Sequence, residues 1–117
     1  MSAVVKAMWA DSVAINLDSY FPDDPENFGM WLELKIGPTD AVGADDFRLF
    51  VCTPCWLKNE RRATQWGRHM LVVCEYDLDV IKTEIEQCIE KCIGASWTVT
   101  AQKIARFLAW EFEDFQP

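Results

Sequence analysis

Two cysteines stand three positions apart in Val51-Cys52-Thr53-Pro54-Cys55-Trp56-Leu57, a spacing that zinc sites and dithiol redox enzymes share. A structural zinc needs four thiolate or imidazole ligands, normally in two close pairs, and Cys88 with Cys92 could supply the second pair. Those two, however, fall on the apolar stripe of a predicted helix, beside Ile81, Ile85 and Ile89. A free cysteine packs there as a small hydrophobe. Pro54 restricts the backbone on both sides of it, which does not suit the tight turn of a zinc knuckle. A dithiol redox site sits at a strand-to-helix turn within a βαβ unit, whereas the residues before Cys52 read as an antiparallel hairpin. The pattern favours a strand that stops at Pro54, with Trp56 and Leu57 folding back onto the core. The alternative is a zinc- or thiol-dependent regulatory module built on Cys52, Cys55, Cys88 and Cys92.

His69 is the one histidine. A general base needs a nucleophile or an acid partner within hydrogen-bond reach, and no motif places one beside it. A small enzyme using His69 and a carboxylate is therefore a second alternative to a strand-edge histidine. The chain carries no nucleophile elbow, phosphate loop, dinucleotide fingerprint or metal-binding His/Asp cluster. The expectation is a protein that is not an enzyme and uses no cofactor or metal.

Composition narrows the class. At 117 residues, with 50% hydrophobic residues, six tryptophans and seven phenylalanines, the chain suits one domain over residues 1–117 and excludes a disordered polymer. The net charge is −8, from 19 acidic and 11 basic residues. That balance argues against nucleic acid and anionic membrane surfaces, and suits a basic partner protein. A third alternative is a subunit of some other acidic assembly. Lys6, Asp11 and Asp18 interrupt the apolar runs of the N-terminus, so neither a signal peptide nor a membrane span is read there. The expected location is cytoplasmic, with all five cysteines reduced. Cys74, Cys88 and Cys92 are expected to be protected, and Cys55 to react first.

These residues need elements to position them. Residues 3–10 form a weakly alternating strand. In Phe28–Ile36, Phe28, Met30, Leu32, Leu34 and Ile36 alternate with Gly29, Trp31, Glu33 and Lys35, the period of a half-buried strand. Residues 47–53 alternate likewise and pair with it as a long-looped hairpin. Residues 55–68 are a polar connection with room for a helical turn, and 69–76 is an apolar run that reads as a central strand. Asp77 caps a helix whose buried side is Leu78, Ile81, Ile85, Cys88, Ile89 and Cys92, with Gly94 ending it in a left-handed conformation. A second helix spans 99–114, burying Ala101, Ile104, Ala105, Leu108, Phe112 and Phe115. Strands first and helices last predict an α+β fold: an antiparallel sheet of about four strands with two C-terminal helices on one face. Trp31, Phe50 and Trp9 would then point to the other face, to be covered by loops or by a partner.

Three stretches, FPDDPENFGMWLELKIGP (21–38), FRLFVCTPCWL (47–57) and WTVTAQKIARFLAWEFED (97–114), resemble the immunity protein 8 family of bacterial polymorphic toxin and contact-dependent inhibition systems. The resemblance implies a non-enzymatic protein whose partner is the C-terminal domain of a cognate toxin. A nuclease is one toxin that fits the charge, because its cleft must grip phosphate and is basic. An acidic inhibitor would block such a cleft with Asp23, Asp24 and Glu26, with Asp40, Asp45 and Asp46, and with Glu111, Glu113 and Asp114. Trp31 and Trp110 are the candidate apolar anchors.

Overall fold

The computed structural model describes residues 1–11, 17–60 and 64–113. The chain order is β1 (Ala3–Ala10), a 3-10 turn (Leu17–Ser19), β2 (Gly29–Pro38), β3 (Asp45–Cys52), α1 (Pro54–Glu60), β4 (Met70–Val72), α2 (Leu78–Glu90), α3 (Trp97–Ile104) and β5 (Ala109–Trp110). The fold is α+β. One sheet runs β1-β2-β3-β4, and β5 adds to β3 beside β4. β1 is antiparallel to β2 and β2 to β3, β4 is parallel to β3, and β5 is antiparallel to β3.

The alternation of β2 becomes its two faces. Phe28, Met30, Leu32, Leu34 and Ile36 are all buried, and across the ladder Phe47, Leu49 and Val51 of β3 join them. Ile81, Ile85 and Ile89 of α2 and Ala101 and Ile104 of α3 close the same core. β1 alternates weakly because it is bulged. Val5 pairs with Ile36 and Ala7 with Lys35, so Lys6 is an extra residue that shifts the phase. The Lys6 ammonium then reaches into the β2–β3 loop, donating to the carbonyls of Ala41 (2.6 Å) and Gly43 (2.9 Å). In that loop Gly43 takes φ +99°, which favours glycine.

Thr53 joins the sheet to α1. Its buried hydroxyl accepts from the Phe28 amide (3.2 Å) and from the Trp56 amide (3.4 Å), so one side chain pins the start of β2 and caps the helix. Pro54 opens α1, where a missing amide costs nothing. Trp56 then folds over Gly29, whose missing Cβ would stand 2.5 Å from the indole.

Four expectations are corrected. The run 69–76 is not a central strand. β4 holds three residues at the margin of the sheet, because His69 enters it with φ 55° and the α1 crossover brings the chain back parallel to β3. The second helix ends at Ile104 rather than continuing to 114. The chain turns at 105–108 and lays Ala109–Trp110 along Arg48–Phe47, which stacks Trp110 on Phe47 (6.4 Å). Phe112 is consequently exposed, and Phe115 lies outside the described residues. Gly94 is not left-handed: α2 is closed by Lys91 in right-handed geometry. The glycine serves close approach, since a Cβ would lie 2.7 Å from Val99 and 2.8 Å from the Thr100 amide.

Candidate functional site

The sheet face opposite the helices carries a mixed aromatic and charged surface. At its Gly29–Cys52 end α1 covers it: Trp56 packs on Phe50 (5.0 Å), and Phe50 is buried. Trp31, directly across from Phe50, is tilted against it at 5.2 Å. The next row holds Trp9, Glu33 and Arg48 on β1, β2 and β3. Here the face opens, and Trp9 is 43% exposed. The Arg48 guanidinium lies 4.5 Å from the centre of the Trp31 ring and is held by Glu33 (2.7 Å) and Asp11 (3.1 Å). Exposed ion pairs contribute little to stability, about 0–1 kcal/mol each. Three partners do fix the fork in one place, and a pre-placed Arg loses less rotamer entropy when it binds something. One row on, Lys35 pairs with Asp46, which raises the Lys35 pKa chiefly through that hydrogen bond. The Glu111 carboxylate accepts from the Asp46 amide at 2.8 Å, closing the surface with acids.

The nominated carboxylates do not form one patch. Asp45, Asp46, Trp110 and Glu111 come together at the hairpin end of β3, with Asp40 exposed in the adjoining loop. Asp45 and Trp110 are occupied there, since one Asp45 oxygen accepts from the indole nitrogens of both Trp97 and Trp110, each at 2.9 Å. Asp23, Asp24 and Glu26 are exposed in the loop before Gly29, at the far end of β2. Ten strand residues separate the two groups, about 30 Å. Glu113 turns aside to Arg68 and His69. Trp31 is half-buried at the centre of the open face, and Asp114 lies outside the described residues.

The thiols are separated too. Cys52 is buried beneath α1 on the face of Gly29 and Phe50, whereas Cys88 and Cys92 belong to the helical layer on the other side. The two pairs therefore cannot meet, and nothing supports the zinc module. Cys52 and Cys55 do stand at a strand-to-helix turn, since α1 links β3 to the parallel β4 and not to an antiparallel partner as expected. Among the described residues, no three His, Cys, Asp or Glu side chains are grouped to hold a metal ion. His69 places Nε2 3.1 Å from the Ala105 carbonyl and 3.6 Å from Glu113, as a side chain anchoring the start of β4. Cys74 is exposed, not protected, because β4 stops at Val72 and Cys74 falls in the turn beyond. Burial raises the thiol pKa of both Cys88 and Cys92. Native alkylation should therefore modify Cys55 and Cys74 first. Cys88 and Cys92 should lag at every pH below their raised pKa values, because thiolate is the reacting form. Mass spectrometry of a timed iodoacetamide reaction reads the order, and early modification of Cys92 would contradict the packing of α2.

Arg48, Glu33 and Asp11 were not legible as partners in the sequence. The usable signal was parity: Glu33 shares the face of Trp31, and Arg48 that of Phe50. Pairing them required the register across two strands.

The sequence model of a family described as Immunity protein 8 matches residues 3–115, nearly the whole chain. No curated protein and no solved structure matches it.

Proposed function

The chain belongs to the Immunity protein 8 family, and from that premise we propose that it neutralises a cognate bacterial toxin by seating the open face of its sheet on the toxin's C-terminal domain. The family match carries the partner class. The surface is supported by one observation: Arg48 is held between Trp31, Glu33 and Asp11 beside the exposed Trp9. Trp and Arg are the side chains that most often dominate binding energy. Asp46 and Glu111, with Asp40 beyond them, give that surface an acidic margin. A basic cleft, such as a nuclease's, is attracted by it, and occluding the cleft stops the toxin without any reaction in the inhibitor. The protein acts as a non-catalytic inhibitor in the cytoplasm, within a polymorphic toxin or contact-dependent inhibition locus. No helix among the described residues is long and apolar enough to cross a membrane.

The test is co-expression with the toxin domain encoded by the adjacent gene, followed by association kinetics against ionic strength. Cells should survive only with the immunity chain. Association should slow as salt rises, and Asp40→Asn/Asp46→Asn/Glu111→Gln should cut the low-salt rate about tenfold with a flatter salt slope. That variant spares Asp45 and hence the Trp97–Trp110 clamp. Loss of protection by wild type would end the immunity reading. A salt-insensitive rate, equal in the variant, would end only the acidic-margin reading.

A further inference from the structure

A second surface has the opposite character. A groove of about 620 Å³ lies between α2, the approach to β4 and the turn after α3. Leu49, Leu71, Ile85 and Leu108 form its apolar side, and Arg68, Lys91 and Arg106 bring three cations to it against one acid, Glu84. This is a concentration of positive charge in a chain of net charge −8. Arg68 is shared with Glu113, but among the described residues neither Lys91 nor Arg106 has an ion-pair partner. Phe107, which lines the groove, is 50% exposed, and Trp66, adjoining the lining glycine Gly67 in the sequence, is 95% exposed. A tryptophan so open to water is uncommon for a residue that normally buries a large apolar area.

We propose that this groove takes an acidic segment of the toxin that carries an apolar side chain. The inference rests on the reading of the toxin as partner and adds a second contact to it, because Leu49 and Leu71 place the groove on the helical side of the sheet. Charge complementarity selects the occupant. Carboxylates on the segment pair with Lys91 and Arg106, and an aliphatic or aromatic side chain fills the space above Leu71 and Leu108 beside Phe107. The volume lies in the range of ordinary ligand pockets and holds a few side chains, not a folded domain. Because the protein as a whole repels acidic bodies, the groove favours a partner that is basic overall and acidic only in this segment.

The experiment uses a labelled heptapeptide of Asp and Glu around a central Phe, its Asn/Gln counterpart, and the toxin domain of the adjacent gene. Amide shifts of the isotope-labelled chain should move at Gly67–Leu71, Cys88, Lys91 and Arg106. The acidic peptide should bind at least tenfold more tightly than the neutral one. Lys91→Glu/Arg106→Glu replaces two exposed side chains; it should weaken peptide and toxin at least tenfold each with an unchanged Tm. If that pair fails to fold, Lys91→Glu alone should weaken both several-fold. Shifts elsewhere, or equal affinity of the neutral peptide, overturn the proposal. The same shifts with inorganic phosphate alone would make this a small-anion site. Shifts that track protein concentration would make the occupant a second copy, entering through its exposed Phe21 and the acids that follow. Toxin that binds wild type and the charge-reversed chain alike removes the toxin from the groove and leaves the immunity reading standing. Toxin that binds neither, while the acidic peptide still does, overturns the immunity reading and with it this occupant.

Discussion

Replacing Phe47 by alanine lowers the free energy of unfolding by about 3–5 kcal/mol, the range for deleting a buried aromatic. Phe47 is fully buried, sits opposite Leu34 on β2 and Trp110 on β5, and stacks against the Trp110 ring at 6.4 Å. Strands flank it on both sides, so the backbone has little freedom to collapse into the cavity. The loss is a large part of a typical domain's stability of about 5–15 kcal/mol. Ile85→Ala and Leu108→Ala should cost about 2–5 kcal/mol each, since both residues are no more than 3% exposed. Phe112→Ala, at a side chain 44% exposed, should cost under about 1 kcal/mol. Urea titration with a common slope reads all four. A loss below about 1 kcal/mol for Phe47→Ala would mean that β5 does not close over it.

Removing Arg48 should weaken toxin binding by about 2 kcal/mol or more, roughly thirtyfold, if the open sheet face is the interface proposed above. The side chain touches an aromatic ring and two carboxylates, and Glu33 and Asp11 would be left facing the partner without their counter-charge. Arg48→Lys should not restore affinity, because an ammonium cannot stack on Trp31 while forking to two acids. Trp9→Ala should lower affinity on a similar scale with little change in Tm, since Trp9 is already 43% exposed. Calorimetry with the toxin domain gives the affinities, and thermal unfolding separates binding loss from folding loss. Unchanged affinity in both variants would move the interface off this face.

Part of the molecule was legible because it is encoded locally. The period of two over Phe28–Ile36 commits one side of β2 to the core whatever its neighbours are. Asp77 caps α2 through the amides of Asp79 and Val80, and the isoleucines four apart bury one side of that helix. The strand that stops at Pro54 was likewise legible: Cys52 ends β3, Thr53 and Pro54 enforce the stop, and Cys55 falls in the helix that follows.

What the sequence determined by itself was therefore the α+β class, the two faces of the hairpin and the capped helix, each set by residues within a few positions of one another. Only the tertiary structure decided where α3 stops, because stacking Trp110 on Phe47, 63 positions away in the chain, overrides a helical stripe that runs on past Ile104. It also decided that the acids of the first loop and those of the hairpin end lie at opposite ends of β2 while Glu113 turns to Arg68 and His69, since charge along a chain carries no record of how strands are paired. The Arg48 cluster and the cationic groove are assembled from segments distant in sequence. Their chemistry comes from register and helix placement, which are fixed by the packing of the whole core.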